Sequence, residues 1–154
     1  MLLPLSEALA EPSAAPADQA ANVGRVLDLT NAERSNAGLA PLVLSLKLQA
    51  AAQAYSQVLA SGACFAHTCG PMPSFADRDA AAGYGDWTAI GENLAGGYST
   101  PEAVMAGWMG SPGHRENILS TSFTEVGIGV TTGGGQYRVY WAAEFGTRDD
   151  ITDD

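Results

Sequence analysis

Apolar residues recur at two different spacings along this chain, and the change from one to the other divides it. From Asn22 onward, Val23, Val26, Leu27 and Thr30 fall three and four positions apart, so they share one face of a helix that Asn22 can cap and Gly38 can end. Ser45 can cap a second helix in which Leu48, Ala52, Tyr55 and Leu59 line one face, with Gly62 near its end. Its alanine-rich surface suits close packing. Residues 74 to 82 read as a short helix. Thr100-Pro101-Glu102 joins a capping hydroxyl, a proline at the first helical position and an acid near the positive end of the helix dipole; Val104, Met105, Trp108 and Met109 then supply an apolar face. Ser111-Pro112 repeats the start signal, so Gly110 separates two helical segments and His114 lands in the first turn of the second.

Beyond these helices the period becomes two. Val126, Ile128 and Val130 alternate with Gly127, Gly129 and Thr131, while Tyr137, Val139 and Trp141 alternate with Arg138 and Tyr140. Gly133-Gly134-Gly135 connects the runs, which predicts an antiparallel hairpin with one face in need of a helical cover. Helices first and strands last predict an α+β fold, with the sheet sandwiched if helices cover both faces. Residues 1–21 hold Pro4, Pro12 and Pro16 among alanines and acids and read as an arm or linker, 22–147 as the domain, and 148–154 as a frayed acidic tail.

Composition narrows the possibilities. With 154 residues, 46% hydrophobic and 16% charged, the chain suffices for one full core and one domain. Seven Lys and Arg against seventeen Asp and Glu give a net charge of -10, which repels phosphate and argues against nucleic-acid or anionic-membrane partners. Met1-Leu2-Leu3-Pro4-Leu5 is too short and too soon broken by proline to be the apolar core of a signal peptide; the favoured expectation is the mature form of a processed precursor, the other a cytoplasmic protein. No apolar run approaches the roughly 20 residues needed to cross a bilayer, so no transmembrane segment is expected. Few lysines and two cysteines five positions apart suit a secreted or periplasmic protein.

Candidate chemistry is confined to a few places. Cys64-Phe65-Ala66-His67-Thr68-Cys69 permits a Cys64–Cys69 disulfide, a metal site of both thiolates with His67, or two free buried thiols. A disulfide would pin His67 at the end of the second helix. Glu92, between Gly91 and Asn93, is expected on a strand or loop, where an acid is solvent-facing, buried with donors, or a ligand. The field of a helix start favours neutral His114, the form that binds metal or accepts a proton. His67, Glu92 and His114 together make a two-histidine, one-carboxylate set compatible with zinc or another divalent transition metal, and they are the candidate catalytic groups. Ser111 and Ser122 offer hydroxyls, but neither stands in a Gly-x-Ser-x-Gly elbow and no His-Glu-x-x-His occurs, so hydrolysis is the minority reading. Asn93 and Asn117 could bond loop backbone. Gly133-Gly134-Gly135 is not a phosphate loop, because no Gly-Lys-Ser/Thr follows it, and no residue reads as cofactor-binding beyond the candidate zinc or divalent-cation set.

Several ordered motifs resemble the CAP superfamily, the group of cysteine-rich secretory proteins, antigen 5 and pathogenesis-related 1 proteins, in its compact bacterial form. They are Leu29-Thr30-Asn31-Ala32-Glu33-Arg34 with Gly38-Leu39 and Pro41-Leu42, His67 after the second helix, Gly91-Glu92-Asn93-Leu94-Ala95, Trp108 through Leu119, Phe123 through Val130, and Phe145-Gly146. The resemblance implies a three-layer α-β-α sandwich with a central antiparallel sheet, extracellular location, and a cleft lined by His67 and Glu92. Larger eukaryotic relatives carry two histidines and two glutamates there, sometimes with a divalent metal. Ser111 falls where their second glutamate would be and Ser122 where their second histidine would be; His114 belongs to the bacterial version of the motif. The leading expectation is a non-enzymatic extracellular binding module for a metal, small ligand, lipid, peptide or cell-envelope component. The alternatives are a metal-assisted hydrolase or peptidase using His67, Glu92 and His114, and a structural envelope-associated domain.

Overall fold

A computed structural model describes residues 16–69 and 74–149. Residues 1–15 of the expected arm and 150–154 of the expected tail lie outside that range. The element order is α1 (Pro16–Asn36), β1 (Val43–Leu44), α2 (Leu46–Ala60), α3 (Phe75–Ala81), β2 (Trp87–Gly96), α4 (Pro101–Met109), α5 (Pro112–Ile118), β3 (Glu125–Thr132) and β4 (Val139–Arg148). Capping chemistry places most helix starts: Ser45, Ser74 and Thr100 each accept a backbone N–H from the first turn of α2, α3 and α4. Ser111 precedes Pro112 without a side-chain cap bond, so proline's preset φ, rather than the hydroxyl, starts α5.

One boundary moves. The first helix starts at Pro16, six residues before Asn22, because proline is tolerated in a first helical turn and the alanines that follow favour helix. Part of the expected arm is therefore helical. Helix α1 ends at Asn36, and Gly38, at φ 76°, turns the chain so that Leu39 N–H reaches the Arg34 carbonyl.

The sheet runs β1-β3-β4-β2, with β3–β4 and β4–β2 antiparallel and the two-residue β1 parallel to β3. The hairpin is present, with Val130 opposite Trp141, and both its faces are covered. Val126, Ile128 and Val130, with Trp141, Ala143 and Phe145, pack in one cluster with Val23 and Val26 of α1, Val104, Met105 and Trp108 of α4 and Ile118 of α5. Tyr140 and Ala142 belong to a second cluster with Ala52, Tyr55 and Leu59 of α2. Gly127 and Gly129 explain how α2 lies so close. A Cβ at Gly127 would stand 2.0 Å from the Leu48 carbonyl carbon, and one at Gly129 2.4 Å from that of Ala52. The result is an α+β sandwich of helices on both sides of one sheet.

The early motif residues are structural. Arg34 is buried and donates to the carbonyls of Ala40, Ile118 and Ser120 at 2.7, 2.9 and 2.8 Å, tying the end of α1 to the end of α5. Asn31 exchanges two hydrogen bonds with the backbone of Leu42. Among the described residues, no helix is long and apolar enough to cross a membrane.

Candidate functional site

Strand β2 has only one neighbouring strand, and the site is built around its open side. Its outward carbonyls take side-chain donors: Trp108 Nε1–H reaches the Leu94 carbonyl at 3.1 Å, and Asn117 Nδ2–H the Glu92 carbonyl at 3.3 Å. Asn117 also donates to Asn93 Oδ1 at 2.9 Å, and Asn93 Nδ2–H to the His114 carbonyl at 3.0 Å. These bonds fasten α4 and α5 along β2 and satisfy backbone that would otherwise be a pairing edge. Asn93 and Asn117 thus hold backbone, as their amide chemistry allows.

Cys64 and Cys69 are disulfide-bonded, which closes the metal and free-thiol readings of that segment. The loop they close is held from below by two further donors. Tyr55 O–H donates to the Ala66 carbonyl, and Arg78 Nη2–H to the His67 carbonyl at 2.7 Å. His67 is thereby held above β2, with Nδ1 2.7 Å from Glu92 Oε1 and its side chain 57% exposed. A carboxylate only accepts, so Nδ1 carries the proton and Nε2 is the free ring nitrogen.

Glu92 is buried and not open to solvent. Arg78, from α3, donates Nη1–H to Glu92 Oε2 at 2.5 Å and Nη2–H to Oε1 at 3.2 Å. The same Nη1 lies 3.2 Å from Glu144 Oε1, and the guanidinium carbon sits 3.4 Å above the centre of the Tyr55 ring. Burial alone would raise the Glu92 carboxyl; hydrogen bonds from Glu144, Arg78 and His67 outweigh it and hold it below the usual carboxylate range. Glu144, fully buried opposite Glu92, is pushed well up by burial and by Glu92, which favours its protonated form. Asp79 is also fully buried, and burial pushes it up to about 7, with Arg78 opposing.

Sequence reasoning missed Arg78, Asp79 and Glu144. Asp77-Arg78-Asp79 looks like one turn of a solvated helix, whereas an acid at Glu144 between Ala142-Ala143 and Phe145-Gly146 is an acid inside an apolar run and could have been noticed. His114 is half-buried and held below its ordinary value by burial and then by repulsion from His67, rather than by the short helix it opens. Ser111 lines the same groove as His114; Ser122 is exposed elsewhere, its carbonyl accepting from Thr147. Among the described residues, no hydroxyl is hydrogen-bonded to either histidine side chain.

A divalent cation would find little to hold it here. Arg78 already occupies both oxygens of Glu92, and among the described residues no three His, Cys, Asp or Glu side chains converge on a point. The residues present do not fit a bound metal. What opens beside His114 is an aromatic-walled groove of about 230 Å³, lined by Phe65, Tyr98, Trp108, Ser111, His114 and Tyr137 over the end of β2.

Residues 27–145 match the model of the cysteine-rich secretory protein family, CAP. The chain is 38% identical over 133 residues to the Bacillus subtilis protein YkwD, covering 86% of this chain and 50% of YkwD. It is 34% identical over 106 residues to the B. subtilis membrane protein YlbC, covering 69% of this chain and 30% of YlbC. The chain thus spans half or less of the curated relatives it matches. A solved extracellular protein containing an SCP domain, from Bacillus anthracis, superposes with a TM-score of 0.76 at 28% identity, over 90% of this chain and 45% of that one.

Proposed function

This chain belongs to the cysteine-rich secretory protein family, and from that premise we propose that it is a non-enzymatic, extracellular binding module whose ligand lies in the groove between the disulfide loop and α5. The observation that carries this reading is the pairing of a buried, self-satisfied charge cluster with an open groove beside it. Glu92 is buried and already engaged at both oxygens by Arg78 and His67, whereas the groove presents exposed aromatic faces with a few polar atoms, the usual composition of a ligand site. The cluster acts as a floor that fixes His67 and the disulfide loop from which Phe65 reaches the groove. Extracellular location accords with the disulfide and with the extracellular relative from B. anthracis.

The test is an amide chemical-shift titration of the protein with three probes: a tetramer of β-1,4-linked N-acetylglucosamine, sodium laurate below its micelle concentration, and an uncharged alanine pentapeptide. Shifts clustered at Phe65, Gly96, Tyr98, Ser111 and His114 with at least one probe, and no product formed, are the expected result. Silence at the groove with all three, or turnover of any probe, overturns the reading.

A further inference from the structure

Resting on the groove reading, we propose that the ligand is a neutral, β-1,4-linked hexopyranose chain that crosses an aromatic ridge of Phe65, Tyr98 and Tyr137. Three grooves meet at Tyr137. One is the groove beside His114; the second runs along Leu59, Phe65 and Gln136; the third, of about 370 Å³, passes Ser99, Thr132 and Arg138. A ligand using all three must be a chain.

The ridge is exposed and built to stay so. Phe65, Tyr98 and Tyr137 are 43%, 37% and 37% exposed, and the Phe65 and Tyr137 rings stand 5.0 Å apart. Tyr137 lies directly on Gly96, where a Cβ would meet its Cγ at 2.7 Å, and Tyr98 lies on Gly107 in the same way, its hydroxyl 2.5 Å from such a Cβ. Arg138, the residue after Tyr137, is held at φ 66°, in a three-residue turn closed by Val139 N–H to the Tyr137 carbonyl at 2.8 Å. Such a conformation is costly for a side-chain-bearing residue and persists only where its surroundings impose it. Tyr140 does so: its hydroxyl accepts from Tyr137 N–H at 3.2 Å and donates to the Gly134 carbonyl at 2.9 Å.

The chemistry of the lining selects among occupants. Among the described residues it offers flat aromatic faces, hydroxyls, the Gln136 amide and the His114 imidazole, no carboxylate, and Arg138 as its one permanent cation. With the chain's net charge of -10, that disfavours polyanions. Equatorially linked pyranoses present apolar C–H faces edged with hydroxyls, and so match exposed aromatic faces that are tilted against one another and have polar neighbours. A peptide would seek an open strand edge, but Trp108 and Asn117 already occupy the outward carbonyls of Leu94 and Glu92. An acyl chain needs an enclosed apolar tunnel, and these grooves are open troughs.

The three-probe titration is repeated with Tyr137→Ala, Tyr137→Phe and Gly96→Ala, the last displacing the ring without removing it; each variant is first shown to be folded by its amide spectrum. The N-acetylglucosamine tetramer is expected to shift Phe65, Tyr98 and Tyr137, with affinity lowered about tenfold in Tyr137→Ala and Gly96→Ala and kept within about threefold in Tyr137→Phe. Groove shifts with laurate or the pentapeptide but none with the sugar overturn the glycan assignment and leave the groove reading standing. Sugar binding indifferent to Tyr137→Ala and Gly96→Ala overturns the ridge. Silence with every probe overturns both this inference and the function it rests on.

Discussion

Glu92 and Glu144 face each other across β2 and β4, within reach of the same guanidinium, yet their carboxyls are pushed in opposite directions, Glu92 toward the ionised form and Glu144 toward the protonated one. The difference lies in their partners. Glu92 accepts from Arg78 twice, from His67 once and from Glu144, whereas Glu144 accepts only from Arg78, at 3.2 Å, and its Oε2 has no partner. A glutamine resembles a protonated glutamate more closely than an ionised one. Glu144→Gln is therefore expected to change stability by less than about 1 kcal/mol, while Glu92→Gln, which strips the buried Arg78 of its counter-charge, costs on the order of 3–5 kcal/mol. Urea unfolding of both variants at pH 7 checks the contrast; equal losses would mean that the two acids share the charge evenly. His67, Glu92 and His114 were legible as candidate residues from their types. That Arg78 rather than a metal would sit on Glu92 was not, since Arg78 and Glu92 are fourteen positions apart and only the fold brings α3 over β2.

At the scale of elements, the glycines of β3 matter most. Alternation of Val126, Ile128 and Val130 with Gly127 and Gly129 was readable as a strand, but whether a helix covers the glycine face was not. They are the seat of α2, whose backbone replaces side chains as the packing surface. Gly127→Ala would force a methyl into the Leu48 carbonyl, which no rotamer change relieves, so the expected loss is about 3 kcal/mol or more, or failure to fold. Gly24, in α1, has nothing within 4 Å of the point where a methyl would stand, and Gly24→Ala is expected to stabilise by about 0.5–1 kcal/mol through helix propensity alone. Paired urea midpoints test both; a tolerated Gly127→Ala would show that α2 can lift from the sheet. The caps at Ser45 and Thr100 were local and therefore readable, whereas β1 and the full length of β2 were not, because two residues of strand carry no period and β2 passes from half-buried to fully buried along its length.

For the whole molecule, the buried acids set how stability follows pH. Asp79 is pushed up to about 7 by burial, so between about pH 4 and pH 7 the folded chain holds a proton that the unfolded chain releases. Stability carried by that proton falls as pH rises through this window and is lost above it. Glu144, also raised, adds to the same trend; Glu92, held low, contributes stability that is present above about pH 4.5 and lost as pH falls through its folded value. A mildly acidic optimum is expected. Asp79→Asn should flatten the decline between pH 5 and pH 8 and raise stability at pH 8 by on the order of 1–3 kcal/mol relative to the parent, so that comparing the two proteins at each pH cancels every other titrating group. Parallel pH profiles for the two would show that Asp79 is ionised when folded.

The sequence by itself determined the α+β class, the starts of the helices after the first, the hairpin and the family, and it named His67, Glu92 and His114 as candidates. Each depends on neighbours within a turn or on motifs kept in order along the chain. Tertiary structure alone decided that Glu92 is buried beneath His67, that Arg78 holds the place a cation would take, and that Phe65, Tyr98 and Tyr137 form one surface. Those relations join residues from separate elements, and packing, not periodicity, sets the distances between them.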